Sequence, residues 1–301
     1  MMKIFTSTRK INPLTDAFKS YVGVYLSRIS RENNALRKQR MAVYANDWVG
    51  ININLYGIYE GHDLSVIFEF LAPLHTDFNT GLALDVGANV GNHAIFFDKY
   101  FRRVIAFEPN PSTYDLLKFN SRYSKSVTAI DFGLGDVSGE FDLWEDAENF
   151  GGSKIKKDAY SESVKVNVKR LDGCEFDLGG LELIKIDVEG FEANVLRGAK
   201  DAIKRYQPII LFEQNETEFN SGEPETIGLM REMGYSFCWI KQKKVAKTWL
   251  GRRFQTLLEL LGNGHVEDEI LSASELPAAT YSMIVGVPER LKKTLGLQVD
   301  Y

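Results

Sequence analysis

Short apolar runs alternate along this chain with longer segments whose apolar residues recur at helical spacing. The runs are rich in β-branched and aromatic residues and end near glycine, proline or acidic positions, which indicates buried β-strands. The predicted strands are residues 82–86, 104–107, 127–132, 139–144, 164–168, 181–186, 208–212, 235–240 and 281–287. The predicted helices are residues 12–45, 63–74, 93–100, 112–121, 191–206 and 223–233. This mostly alternating order predicts an α/β fold, in which a doubly wound sheet carries helices on both faces.

Three segments are less regular. Between residues 47 and 60, apolar residues partly alternate with Asn52 and Asn54, which predicts short strands. The polar segment 149–162 contains Gly151 and Gly152 and is interpreted as a candidate lid or a solvated hairpin tip. An insert at about 241–280 is predicted to form an amphipathic helix, with an apolar face made by Trp249, Phe254, Leu257, Leu258 and Leu261.

The chain shows no internal repeat and no low-complexity linker, so we expect one domain with additions. We divide it into an N-terminal helical extension at residues 1–46 and a main domain at residues 47–301 that contains the helical insert. The extension places Leu14, Phe18 and Tyr21 at helical spacing. We expect this helix to pack on the domain or on a partner subunit, and in the second case to form a homo-oligomer.

Composition narrows the class of protein without identifying a partner. Of the 301 residues, 44% are hydrophobic and 26% are charged, as in ordinary globular proteins. The formal net charge of -5 argues against a nucleic-acid binder. The N-terminus lacks an apolar signal-peptide core and no long uncharged apolar run follows, so we expect a cytoplasmic protein without a membrane span. Cys174 and Cys238 fit neither a disulfide framework nor a zinc motif.

Glycines and acids follow the first predicted strands. In a doubly wound sheet, ligands bind at the carboxyl ends of the strands, near the point where the strand order reverses. Gly87 and Gly91 let a ligand approach the backbone, Asn89 tolerates a left-handed conformation, and the next helix offers N–H groups to a phosphate or carboxylate. Glu108 ends the second strand, where a carboxylate can bind both hydroxyls of a ribose. The pattern indicates an adenosine-containing ligand; a purely structural turn and a solvated or capping acid are the alternatives.

The sequence of the turn distinguishes two cofactors. Nicotinamide enzymes carry G-x-G-x-x-G after the first strand, whereas residues 87–91 read GANVG, with Asn89 in place of the middle glycine. Asp85 would repel a pyrophosphate but suits an ammonium group. These features favour S-adenosylmethionine, which has a cationic amino-acid end and no phosphate.

Four motifs together resemble the FkbM family of S-adenosylmethionine-dependent methyltransferases. They are residues 85–91 (DVGANVG), 107–109 (FEP), 134–136 (LGD) and 185–192 (KIDVEGFE). The resemblance implies a class I methyltransferase (Rossmann-like) fold, an α/β architecture with a seven-stranded, mostly parallel sheet, and O-methylation of a hydroxyl on a sugar or other small metabolite. The residues it implies for cofactor binding are Asp85, Gly87, Asn89 and Gly91 at the methionine part, Glu108 at the ribose and Asp136 near the adenine.

Acids at two later strand ends are the candidate catalytic residues. Methyl transfer requires an in-line approach of the acceptor oxygen and gains from a base that takes its proton. We expect Asp187 to lie near the cofactor or to position the acceptor, and Glu189 to contact the acceptor or act as the base; Glu213 and His93 are the reserves. Alternatively, Asp187 and Lys185 only neutralise each other and Glu189 caps the next helix. No metal is expected, since nothing in the sequence fixes the geometry of a site.

The sequence therefore predicts an S-adenosylmethionine-dependent methyltransferase acting on a small-molecule acceptor. The alternatives are a nicotinamide-dependent oxidoreductase and a non-catalytic adenosine-binding protein on the same fold.

Overall fold

The central sheet is built from the uninterrupted apolar runs of the sequence. A computed structural model describes residues 12–37, 40–144, 163–244, 266–273 and 275–297. The central strands are buried on both faces, as parallel strands covered by helices require. The strands are β1 (Leu82–Val86), β2 (Arg103–Phe107), β3 (Val127–Ile130), β4 (Gly133–Leu134), β5 (Gly139–Trp144), β6 (Ser163–Lys169), β7 (Leu181–Ile186), β8 (Ile209–Gln214), β9 (Tyr235–Lys244), β10 (Val266–Ala273) and β11 (Tyr281–Pro288).

The strand order confirms the predicted α/β fold and locates its binding edge. The main sheet has the order β10-β9-β11-β8-β7-β1-β2-β3, with parallel pairs from β8 to β3 and with β11 antiparallel to both of its neighbours. The chain leaves β1 in one direction through β2 and β3, and returns to its other side with β7. The order therefore reverses between β1 and β7, and a crevice is expected at their carboxyl ends.

Helices cover both faces of the sheet, as predicted. The helices are α1 (Pro13–Arg37), α2 (Trp48–Tyr56), α3 (Gly61–Phe70), α4 (His75–Phe78), α5 (Asn92–Phe97), α6 (Pro111–Ser121), α7 (Glu192–Gly198), α8 (Lys200–Tyr206), α9 (Glu225–Glu232) and α10 (Glu289–Lys292). One apolar cluster joins the sheet to α3, α5 and α6, and a second joins its other face to α7, α8 and α9.

Residues 47–60 form a helix and a turn, so the prediction of short strands there is wrong. Oδ2 of Asp47 accepts a hydrogen bond from the N–H of Gly50 at 3.1 Å and caps the start of α2. Gly57 follows the helix with a φ of 91°, which glycine adopts without strain. Capping at both ends outweighs the partial alternation of the sequence.

The predicted seven-stranded sheet has eight strands, because the insert contributes β10. β9 extends to Lys244, and β10 pairs with it antiparallel. Residues 241–244 and 266–273 of the insert are therefore strand, whereas the helix predicted over residues 249–261 and the loop 149–162 lie outside the described residues. A separate three-stranded sheet has the order β4-β6-β5.

α1 leaves an apolar stripe exposed in the single chain. Leu14, Phe18 and Tyr21 follow each other at helical intervals, and each is more than half exposed. The C-terminal half of α1 packs on α2, where Nδ2 of Asn33 donates to the carbonyl of Asn54 at 2.7 Å. Homo-oligomerisation through this stripe stays a prediction. Among the described helices, none combines the length and hydropathy that crossing a bilayer requires.

Candidate active site

The glycine turn after β1 is held tightly against the end of β7. Gly87 has a φ of +78°, and a Cβ built there would lie 1.8 Å from the carbonyl oxygen of Asp187. A larger residue therefore cannot occupy this position without moving one of the two strand ends. Asn89 has a φ of 49°, which confirms the predicted left-handed conformation.

The backbone N–H groups of this turn are engaged within the protein. Those of Gly87 and Ala88 donate to the carbonyl of Phe107, and that of Gly91 donates to the carbonyl of Ala88. The N–H of Val90 donates to Oδ1 of Asn89 at 2.7 Å. The N–H groups of residues 87–91 are therefore not available to a pyrophosphate. Anion binding by the N–H groups of the helix that follows stays a prediction.

Glu108 links the end of β2 to this turn. Its Oε2 accepts a hydrogen bond from the N–H of Asn89 and its Oε1 accepts one from the N–H of Asn110, both at 2.9 Å. Burial raises the pKa of Glu108 to about 7, while the two backbone N–H groups act in the opposite direction. A carboxylate fixed in this way can still accept a hydroxyl on each oxygen, because each oxygen has a second lone pair.

A first pocket of about 690 Å³, including space open to solvent, extends from Glu108 over the sheet edge. Its wall combines that carboxylate with the apolar side chains of Leu134, Leu143 and Phe191. Thr113 also lines it, and its buried Oγ1 has no hydrogen-bond partner among the described residues. Apolar walls beside a few converging polar groups suit a nucleoside.

A second pocket of about 570 Å³ adjoins the first. The two share the wall made by Gly87, Asn89, Asp187 and Glu189. The remaining lining of the second pocket comes from four parts of the chain and consists of Trp48, Val49, Tyr59, Glu60, Ala88, Asn92, His93, Lys185 and Glu213. The predicted residues Gly87 and Asn89 after β1, Asp187 and Glu189 after β7, and Glu213 near the end of β8 therefore come together at one crevice.

Carboxylates dominate the electrostatics of the second pocket. Desolvation and then repulsion from Asp187, Glu189 and Glu60 raise the pKa of Glu213 to about 7. For Asp187, burial acts to raise the pKa, but the Lys185 ammonium outweighs it and holds the pKa below its ordinary value. Neighbouring acids of one crevice thus differ in proton affinity, as an acid–base site requires.

Residues 48–60 form a wall of the second pocket that the sequence does not predict, because its pattern there indicates strands. Asn92 fastens it to α5: its Oδ1 accepts from the N–H of Tyr59 at 2.9 Å and its Nδ2 donates to the carbonyl of Tyr59 at 3.0 Å. Nε2 of His93 lies 3.1 Å from Oε2 of Glu60. The capping residues Asp47 and Gly57 were the available signal for a helix.

Three of the expected cofactor residues lie away from the pockets. Asp85 is fully buried, and Oδ1 lies 3.7 Å from Nζ of Lys185. Gly91 packs against Leu117, where an added Cβ would lie 2.8 Å from Cδ1. Asp136 accepts a hydrogen bond from Asn194, which with an adjacent arginine lowers its pKa. None of the three belongs to the described lining of either pocket.

The described residues contain no group of three or more His, Cys, Asp or Glu side chains arranged to hold a metal ion. Asp187, Glu189 and Glu213 line the same pocket without forming such a group.

Part of this chain is similar to two methyltransferases. Hexuronic acid methyltransferase AglP of Haloferax volcanii is 34% identical over 134 residues, which are 42% of this chain and 53% of that protein. Methyltransferase sdnD of Sordaria araneosa is 28% identical over 155 residues, 39% of this chain and 60% of that protein. The chain thus spans little more than half the length of these relatives.

Among solved structures, methyltransferase FkbM from Methylobacillus flagellatus is similar at 18% identity and a TM-score of 0.35, covering 56% of this chain and 41% of that chain. The sequence also matches the methyltransferase FkbM domain over residues 85–237. This match covers half of the chain and runs from the glycine turn through β7 and β8, and so contains most of the crevice. The chain accordingly belongs to the methyltransferase FkbM family.

Proposed function

We propose that this protein transfers a methyl group from S-adenosylmethionine to a hydroxyl of a sugar or other small metabolite. The observation that carries the proposal is the pair of adjoining pockets that share Gly87, Asn89, Asp187 and Glu189. One pocket suits an adenosine and the other suits a polar acceptor. A methyl group held where the two pockets meet would face an acceptor oxygen in the second pocket.

The first pocket fits the donor. Glu108 would accept both ribose hydroxyls, and the unpartnered hydroxyl of Thr113 would bind nearby. Leu134, Leu143 and Phe191 would enclose the adenine ring. When bound, S-adenosylmethionine supplies an electrophilic methyl group on a sulfonium. The engaged N–H groups of the turn favour this phosphate-free donor over a dinucleotide.

The second pocket fits the acceptor and a base. Glu213 is the proposed base, because its pKa of about 7 lets it take a hydroxyl proton near neutral pH. Glu189 lines both pockets and is proposed to contact the acceptor, while Asp187 lies between donor and acceptor. Trp48 and Tyr59 form the aromatic part of the wall. Holding the two reactants in line across the shared wall lowers the barrier by orientation.

The acceptor class rests on the relative that acts on a hexuronic acid, which supports a sugar. Because the chain spans only 53% of that relative, the acceptor is part of the proposal. A cytoplasmic location also stays a prediction.

Calorimetry tests the donor first. S-adenosylhomocysteine, the demethylated donor, is expected to bind with a dissociation constant in the range of about 1 μM to 1 mM, and NAD is expected to give no heat. Methyl transfer from radiolabelled donor to a panel of neutral and acidic monosaccharides then tests the acceptor class. Binding of NAD without binding of S-adenosylhomocysteine would overturn the proposal.

A further inference from the structure

Lys185 lies buried between two acids, directly behind the wall that the two pockets share. The parallel register of β1 and β7 pairs it with Asp85. Its Nζ lies 2.9 Å from Oδ2 of Asp187 and 3.7 Å from Oδ1 of Asp85. The Lys185 side chain is 4% exposed and that of Asp85 is fully buried, whereas Asp187 is 33% exposed at the pocket.

Asp85 depends on this lysine for its counter-charge. Neither of its carboxylate oxygens accepts a hydrogen bond from any residue that the structure describes. A buried carboxylate without a counter-ion is strongly unfavourable, and Lys185 is the cation that the structure describes within ion-pair distance. Asp85 is also absent from the described lining of both pockets, so it has no surface to offer a ligand.

Asp187 depends on the same lysine for its charge. Among the described residues that line the second pocket, Lys185 is the sole lysine or arginine, facing the carboxylates of Glu60, Asp187, Glu189 and Glu213. Burial acts to raise the pKa of Asp187, and Lys185 reverses that effect. Without Lys185, that opposing effect is lost, and burial shifts the pKa of Asp187 upward from its value in the wild-type protein.

We infer that Lys185 is a positioning residue that keeps Asp187 ionised and in place at the shared wall, and that Asp85 acts only as its buried counter-ion. Asp85 then does not touch the ammonium group of the donor; Asp187 faces that cationic end. The inference rests on the proposed function, because it assigns these residues to the binding of S-adenosylmethionine.

The contact between Asp187 and the ammonium group of the donor is isolated by a ratio of two affinities. The affinity ratio is the affinity for S-adenosylhomocysteine divided by the affinity for 5′-methylthioadenosine. S-adenosylhomocysteine carries the ammonium group, and 5′-methylthioadenosine has the same nucleoside without the amino-acid end. Both are measured by calorimetry at about pH 8 and about pH 6, because an upward shift in the pKa of Asp187 lowers its charge more at the lower pH. Titration of Glu108 acts on both ligands, and the other acids and the histidine of the second pocket, Glu60, Glu189, Glu213 and His93, are present in every variant. The difference between variant and wild type therefore reports Asp187.

Relative to wild type, Lys185→Met should lower the affinity ratio about five- to tenfold more at the lower pH than at the higher pH. Loss of the contact with Lys185 acts at both pH values, whereas protonation of Asp187 adds to it at the lower pH. Asp85→Asn should keep the ratio within about twofold of wild type at both pH values, although its melting temperature falls. Asp187→Asn, by contrast, should lower the ratio at both pH values. Lys204→Met, on α8, is the matched control.

The double variant Asp85→Asn, Lys185→Met guards against loss of folding. It removes both buried charges, so its melting temperature should exceed that of Lys185→Met, while the loss of affinity ratio at low pH should persist. The inference is overturned if the affinity ratio of Asp85→Asn is as low as that of Asp187→Asn. It is also overturned if the affinity ratio of the double variant changes with pH in the same way as that of the wild type. Failure of the wild-type protein to bind either nucleoside overturns the proposed function and the inference together.

Discussion

The carboxylate of Glu108 and the backbone N–H of Asn89 are joined by a hydrogen bond of 2.9 Å. This bond connects the end of β2 to the glycine turn after β1. The residue expected to bind the ribose therefore also shapes the turn beside the methionine end of the donor.

Glu108→Ala is expected to weaken S-adenosylhomocysteine binding by about tenfold or more, because it removes the ribose acceptor and leaves the N–H of Asn89 without a partner, at a cost of about 1–3 kcal/mol. Calorimetry measures the change. Glu232→Ala, at an exposed position of α9, serves as the control. Equal affinity in Glu108→Ala and wild type would reject the ribose assignment.

Glu213 should control the acid limb of the methyl-transfer rate. Its pKa of about 7 means that the carboxylate is protonated, and unable to accept a proton, as the pH falls below neutrality. At saturating donor, kcat should therefore rise with pH through about 7, and Glu213→Gln should lower it about a hundredfold or more and remove that limb. Glu232→Gln is the control. An unchanged pH profile in Glu213→Gln would exclude Glu213 as the base.

Gly87→Ala should destabilise the fold more than Gly234→Ala. Both glycines have positive φ values, +78° and +83°, so both substitutions pay about 1–2 kcal/mol for the left-handed conformation. Only at Gly87 does the new Cβ also meet backbone, 1.8 Å from the carbonyl oxygen of Asp187, whereas nothing lies within 4 Å at Gly234. Chemical unfolding compares the two; equal losses would mean that the close contact of the strand ends relaxes freely.

Asn92→Ala should separate acceptor binding from donor binding. The substitution removes both hydrogen bonds to Tyr59 and so loosens the wall made by residues 48–60, which lines the second pocket but not the first. We expect KM for the acceptor to rise about fivefold or more while S-adenosylhomocysteine affinity stays within about twofold. Asn194→Ala, outside the second pocket, is the control. A parallel loss of donor affinity would show that the wall supports both pockets.

Local patterns predicted the parts of the site that depend on short stretches of chain. The glycine turn, the acid at the end of β2 and the acids after β7 and β8 follow directly from apolar runs that end in small or acidic residues. Residues 47–60 were mispredicted because their weak alternation competed with caps at Asp47 and Gly57. The resemblance places Asp136 near the adenine, which stays a prediction; local patterns did not reveal that Asn194 and Arg197 of α7 donate to its carboxylate.

The sequence by itself determined the α/β order, the Asn89 turn and the placement of acids at strand ends, because each depends on neighbours a few residues apart. Only the tertiary structure decided which acid faces the crevice. Asp85 and Asp187 are both strand-end carboxylates, yet the β1–β7 register buries the first behind Lys185 and leaves the second at the shared wall. Strand pairing and burial involve residues far apart in the chain, and no local pattern encodes them.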